Sequence, residues 1–386
     1  MNSNKINLFF KIYIIGIFFS SILILYHKFL HPTDWTTSEW LINYHGGFVR
    51  RGLIGEVLLL INQFLNLNPR YLVYIFEVIL LAFYYYLIIK FIKLKYLPIL
   101  LLIIFSPLSF IYPVAESETI ARKETLLFCI YIIFLISLIS NNLKLSFFVT
   151  IILLPIMNLI WDGILFYIPF FILTFLNQGK KIEFEKFVFF LLSFIPYLLT
   201  LYILFNTKAS QEGLLLMCEA IKEPCFASMN YIDESLDNNI NQVLSSFKFE
   251  YALRYLFIFI ICFYAIFSIL NKATSKNLLF KQYSLCVLPT FFLFYIAYDW
   301  GRYLSILYIF SLLTIIFFIK KKVVNVSKCN FNKFLENLYQ KKQKLLLYLL
   351  FFSYLFLWNA KAIMSDDLGS LPYIRIIDKV IELIVI

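Results

Sequence analysis

"LFFKIYIIGIFFSSILIL" (Leu8–Leu25) carries a single charged residue, Lys11, and is long enough to cross a bilayer core as one helix. It starts near lysines, as a signal peptide does, but continues into "YHKFLHPTDW" (Tyr26–Trp35) with no small-residue cleavage site, so it is expected to stay as the first membrane helix. Runs of this kind recur along all 386 residues, in a chain that is 62% hydrophobic and only 15% charged. None shows the short alternation of a β-barrel strand. The expected fold class is all-α: a polytopic membrane helical bundle of about 11 transmembrane helices forming one integral membrane domain, 1–386. The spans fall near 8–27, 71–90, 97–113, 125–140, 145–160, 163–177, 187–205, 252–270, 283–298, 303–319 and 345–359.

Charge orients the bundle. Lys90/Lys93/Lys95, Lys144, Lys180/Lys181/Lys186, Lys272/Lys276/Lys281 and the lysines of 320–344 share the side of the N-terminus, while most acids fall on the other. By the positive-inside rule the N-terminus is cytoplasmic and the C-terminus extracytoplasmic, in a plasma membrane. The net charge of +11 is thereby a topology signal, and no nucleic-acid partner is expected. The basic 320–344 stretch reads as a solvated cytoplasmic loop against anionic lipid.

All seven arginines lie outside: Arg50, Arg51, Arg70, Arg122, Arg254, Arg302 and Arg375. Lysine would serve topology equally well, so this placement points to a use for the planar guanidinium, which binds phosphate or carboxylate in two-pronged fashion. In the first outer loop, 28–70, "NYHGGFVRRGLIGE" (Asn43–Glu56) puts a Gly46-Gly47 turn and Arg50-Arg51 ahead of a helix from Leu53. That helix is expected to lie in the membrane interface, its N-terminus and the two arginines forming a phosphate clamp or, alternatively, a headgroup anchor. "AESETIARKE" (Ala115–Glu124) supplies Glu118, Arg122 and Lys123; "NLIWDGI" (Asn158–Ile164) supplies Asp162; "AYDWGRYL" (Ala297–Leu304) supplies Asp299 and Arg302. Asp162 alone fits a helix cap, and Asp299 with Arg302 fits a local ion pair. Their recurrence on one side favours a shared site.

The larger outer loop, 206–250, holds Cys218 and Cys225, which can pair or remain free. Its "GLLLM" (Gly213–Met217) is expected to dip onto the membrane or a lipid substrate. The three histidines, His27, His31 and His45, have no metal-ligand spacing.

On its cytoplasmic N-terminus, its acid-bearing first loop "TDWTTSEW" (Thr33–Trp40) and the interfacial helix after it, the chain resembles GT-C-type glycosyltransferases that use polyprenyl-phosphate sugars. It is similar also to bacterial O-antigen and capsular polysaccharide polymerases. The resemblance implies a lipid-linked sugar donor and a saccharide acceptor as partners, alongside membrane lipids, with a divalent metal left open as cofactor. It implies Asp34 as general base with Glu39 as its alternative, Arg50 and Arg51 on the lipid phosphate, and Arg122, Asp299 and Arg302 in support. Tyr44, His45, Glu118, Lys123 and Asp162 complete the expected substrate-binding set. Trp35, Trp40 and Trp300 either stack on sugars or belong to the interfacial belt. A flippase of lipid-linked saccharides, or a polysaccharide acyltransferase using His45, are the alternatives.

Overall fold

The computed structural model describes residues 3–30, 35–93, 98–179, 182–207, 210–232, 234–271, 276–326, 329–340, 343–365, 372, 374–377 and 381. The regular structure among these residues is all helical, with no strand, and seven helical stretches are long and apolar enough to cross a membrane. They coincide with seven of the eleven expected spans. The remaining four, at 97–113, 125–140, 163–177 and 345–359, are shorter or broken among the described residues, so the helical membrane bundle is supported and the count of eleven is not confirmed.

Helix α1 (Ser3–Leu30) packs along α4 (Pro69–Phe91), with α2 (Trp35–Leu41) and α3 (Leu53–Leu65) between them in the chain. At about 42 Å, α1 is more than a bilayer core in length. The segment expected to span 97–113 becomes α5 (Pro98–Ile104), a turn, and α6 (Tyr112–Ala115). Ser106-Pro107 causes the break, because proline has no N–H to give and forces the preceding residue out of the helical region. Residues 105–111 are all buried, the condition under which irregular backbone is tolerated at membrane depth. Ser305 donates to the Leu108 carbonyl at 3.0 Å and Tyr308 to that of Ile103 at 2.9 Å.

Helix α7 (Lys123–Ile139) forms the centre of the bundle together with a later helix. Between them come α8 (Leu143–Phe148), a π-helical turn at Val149–Leu153, α9 (Leu154–Ile160), a 3-10 turn Asp162–Tyr167 and α10 (Ile168–Leu176). Next follow α11 (Phe184–Leu192) and α12 (Ile195–Asn206), whose outward faces carry Leu198, Tyr202 and Phe205 against the surroundings. The 206–250 region holds α13 (Gln211–Ala220) and α14 (Leu236–Ser246). Then come α15 (Phe249–Leu270), α16 (Lys276–Phe291), α17 (Leu293–Ile296) and the second central helix, α18 (Trp300–Lys320), buried along most of its length. Then come α19 (Asn330–Gln340), α20 (Lys344–Phe356) and an irregular stretch at 357–365, and the described residues 372, 374–377 and 381 are again helical.

The two central helices are parallel. Arg302 meets Glu124 near their starts, Thr314 meets Tyr131 at 2.7 Å midway, and Lys321 reaches the Asn141 side chain at 3.2 Å past their ends. Both N-termini, with their positive dipole ends, therefore emerge at one end of the bundle. Down α18, a hydroxyl at every third position ties a different neighbour: Ser305 and Tyr308 the broken segment, Ser311 the Tyr283 hydroxyl at 2.6 Å, Thr314 the Tyr131 hydroxyl. A spacing of three against a turn of 3.6 residues steps round the helix, so α18 acts as a hub.

The 320–344 stretch differs from the expected solvated loop. It contains α19, whose Asn332 and Leu335 are buried, and the Asn332 side chain accepts the Ile99 N–H in the first turn of α5 at 3.4 Å. Proline cannot donate and the N-terminal amides of α5 have no helical partners, so this asparagine meets a real need.

Candidate functional site

The four outer connections expected to share a side do meet, at the N-terminal ends of α7 and α18. Two non-glycine residues there take the left-handed conformation, Arg51 (φ 69°) and Ala121 (φ 49°). Such backbone costs roughly 1–2 kcal/mol per residue and persists only where its surroundings hold it. Each is held by the other's loop. Lys123, fully buried, donates to the Arg51 carbonyl at 2.8 Å, while the equally buried Trp40 donates its indole N–H to the Ala121 carbonyl at 3.0 Å. The Lys123 ammonium also sits 5.7 Å from the Trp40 ring centre, within cation–π range.

This reciprocal clasp aims the neighbouring side chains. Arg51 points at Asp162, with its Nε 2.8 Å and its terminal nitrogen 2.7 Å from the same carboxylate oxygen, and Arg50 approaches the other oxygen at 3.7 Å. Arg122, next to Ala121, bonds Glu39 at 2.7 Å. Arg302 grips Glu124 through two nitrogens at 2.8 and 2.9 Å and Asp299 through a third at 2.8 Å. Lys28, at the end of α1, reaches Glu118 at 2.9 Å. Four guanidiniums (Arg50, Arg51, Arg122, Arg302) and the Lys123 amine, whose pKa burial lowers to about 7, thus face four carboxylates (Glu39, Asp162, Glu124, Asp299).

The cluster has a sealed part and an open part. Glu39 is fully buried, as are Arg122 and the Arg302–Glu124 pair to within a few per cent. Burial pushes the Glu39 carboxyl up, but Arg122, Arg302, Lys123 and Arg51 together outweigh it and hold the pKa at about 2. A carboxylate held so low and bound to an arginine is a weak proton acceptor, which counts against Glu39 as the alternative base. Its Oε1 atom is buried without a donor among the described residues. Asp162, Arg50 and Arg51, by contrast, keep 26%, 34% and 31% of their side chains exposed. Burial raises the Asp162 carboxyl as well; Arg51 and then Arg50 pull it below the ordinary carboxylate value.

The two arginines of the expected phosphate clamp therefore rest on a carboxylate of the chain itself. Arg50 additionally donates to the carbonyls of Ile232 and Glu234, both at 3.3 Å. Asp34, the expected general base, lies outside the described residues, one position before α2. Asp299 and Arg302 do form the local ion pair, within the larger cluster. His45 is exposed on the turn, apart from the clasp. Tyr44 is half-buried against Phe48, and burial together with Glu56 pushes its phenol up to about 12.

The 206–250 region covers this end as a cap. Cys218 and Cys225 are joined as a disulfide, closing the alternative left open by the sequence. "GLLLM" packs one face on the first loop, where the Met217 carbonyl accepts the Asn43 amide at 3.1 Å, and leaves Leu215 and Leu216 exposed. Gly47 (φ 112°) makes the expected turn. Gly46 has a second role that spacing could not reveal: a Cβ there would overlap the Gly213 carbonyl, so the glycine admits the cap's backbone. Ser228 N–H bonds Ser38 at 3.0 Å, and Arg70 pairs with Glu223.

Three charged residues of this end were not among the expected site residues. Glu124 follows Lys123 and is the main partner of Arg302. Lys28, at the end of α1, pairs with Glu118 and donates to Thr36 at 3.3 Å. Glu116 collects the Asn359 amide at 3.0 Å, the Ala362 N–H at 3.2 Å and Arg375, fastening the C-terminal stretch over the start of α18. Glu116 and Glu124 share the "AESETIARKE" run, and that density of charge was the available signal. Among the described residues no group of three or more His, Cys, Asp or Glu side chains is arranged to hold a metal ion. Compared with known proteins, the chain matches no family model, no curated protein sequence and no solved structure.

Proposed function

We propose that the chain is a membrane-embedded glycosyltransferase or polysaccharide polymerase of bacterial surface-polysaccharide assembly, taking a polyprenyl-phosphate-linked sugar at the clasp end of the bundle. The observation that carries this reading is the open Arg50–Arg51–Asp162 group beside a sealed, charge-rich scaffold. Two guanidiniums on one partly exposed carboxylate are a place where a phosphate can compete. Arg50 lies at the longer distance from Asp162 and is positioned by the Ile232 and Glu234 carbonyls, so a phosphate would compete there with a long ion pair. The cystine in the cap fits an oxidising compartment and supports the extracytoplasmic assignment of this end, as the lysine partition does.

In this reading the acceptor hydroxyl oxygen bonds to the anomeric carbon while the bond from that carbon to the phosphate oxygen breaks. The lipid phosphate leaves as the anion, stabilised by the arginines, and the hydroxyl proton passes to a carboxylate. Asp34 remains the proposed base, and Asp162, once its arginines turn to phosphate, is the nearest described alternative. The test is transfer of a radiolabelled sugar from a polyprenyl phosphate to a saccharide acceptor by the protein in nanodiscs. Loss of roughly tenfold or more in Arg50→Lys/Arg51→Lys is expected. Absence of transfer, or full activity in that variant, overturns the reading.

A flippase reading draws on a separate observation: Glu77 is 2% exposed within the α4 span, and the α5–α6 segment is broken beside the hub. Movement of a fluorescent lipid-linked saccharide between leaflets without transfer would favour it.

A further inference from the structure

We propose that the seam between α2 and the cap is a saccharide-binding subsite, in which Trp35 and Tyr231 stack on a sugar ring beside Tyr298, Gln242 and Glu234. The inference deepens the glycosyltransferase reading and rests on it for the identity of the acceptor. Of the three outer tryptophans considered, Trp40 and Trp300 are sealed in the core, at 0% and 5% exposure. Trp35 keeps 37% of its surface and Tyr231 41%, with ring centres 5.1 Å apart and planes tilted by 40°. Two tilted, half-open rings offer a concave aromatic face.

The surroundings of this pair are polar rather than aliphatic. Ser228 donates to the Trp35 carbonyl at 3.2 Å. The Tyr298 hydroxyl donates to Gln242 at 3.1 Å, and the Gln242 amide donates to Glu234 Oε1 at 3.3 Å. The Glu234 N–H donates to the Tyr231 carbonyl at 3.4 Å, so chain and aromatic pair are joined at one turn. The chain ends in an unmet need: Glu234 Oε2 is buried with no donor among the described residues. A buried carboxylate oxygen without a donor is costly.

A hexose satisfies both features together. One face of the ring is C–H and apolar, suited to an aromatic surface, and its rim carries hydroxyl donors. A lipid tail would leave Glu234 unmet, and a phosphate would be repelled by it. Arg50 also donates to the Glu234 carbonyl, so the seam adjoins the proposed phosphate position. That places a bound saccharide beside the donor sugar whose anomeric carbon its hydroxyl would attack, with the phosphate as leaving group.

The full chain in phosphatidylcholine nanodiscs can be tested by saturation-transfer NMR with soluble tetrasaccharides of glucose, galactose and N-acetylglucosamine. Transfer to ring protons of at least one is expected, falling several-fold to about tenfold in Trp35→Ala, Tyr231→Ala and Glu234→Gln. Trp35→Phe should keep most of the signal, and Phe205→Ala, on the outward face of α12, should keep all of it. Tyr231 is exposed, so its variant carries the test if Trp35→Ala does not fold. No transfer to any of the three sugars, or an unchanged signal in Tyr231→Ala and Glu234→Gln, overturns the subsite. Sugar transfer by a protein whose saccharide signals ignore these residues would sink the subsite alone. Sensitive signals without any donor turnover would sink the enzyme reading alone.

Discussion

Lys123 donates to the carbonyl of Arg51, 72 positions earlier, at 2.8 Å, and so fixes a left-handed backbone whose side chain meets Asp162. Trp40 does the same for Ala121 from the opposite loop. Lys123→Met and Trp40→Phe should each lower stability by roughly 1–3 kcal/mol, since each strips a buried carbonyl of its donor. Because both belong to one clasp, the double variant should fall short of the sum. Thermal melting in detergent measures this, and strict additivity would show two independent contacts.

Glu39 and Arg122 form a sealed pair, and a lone buried charge is worse than none. Glu39→Ala should destabilise by about 3–5 kcal/mol, and Glu39→Ala/Arg122→Met should recover part of that loss. A double variant less stable than the single one would mean that Arg122 is held mainly by other partners.

Acid should expose the same pair. The folded pKa of Glu39, about 2, lies below its ordinary value of 4.5, so its contribution is complete above pH 4.5. That contribution declines as pH falls from 4.5 toward about 2, because the unfolded chain then binds the proton more readily. The difference in melting temperature between wild type and Glu39→Gln should be flat above pH 4.5 and shrink below it. A difference that grows on acidification would contradict the sign.

Gly46→Ala places a methyl group against the Gly213 carbonyl and should lift the cap, at a cost of about 1–3 kcal/mol. Limited trypsin digestion should then cut faster at Lys222, which lies in the cap. Wild-type cleavage kinetics would mean that the turn and α13 separate freely already.

The convergence at the clasp could be foreseen because charges that are costly in a membrane recurred at four connections on one side. Which acid meets which arginine could not, since Arg51–Asp162 and Arg302–Glu124 span 111 and 178 positions. Pairing at that distance depends on the parallel run of α7 and α18, which periodicity does not encode. The clamp reading of Arg50-Arg51 weighed their outer placement and the helix start, and missed the acid that reaches them across the bundle. The interruption of the 97–113 run, by contrast, was written in Ser106-Pro107, but hydropathy alone treats proline among aliphatic residues as continuous.

The irregular backbone at 105–111 also sets an order of manufacture. The carbonyls of Ile103, at the end of α5, and of Leu108 within the stretch are satisfied by Tyr308 and Ser305, about two hundred residues later, and Tyr354 donates to Ser106 at 3.1 Å. When the ribosome has delivered only the first third of the chain, this stretch has no donors of its own for those groups. These three contacts can close only once α18 and α20 have been made, so the packing around the break is completed late in synthesis.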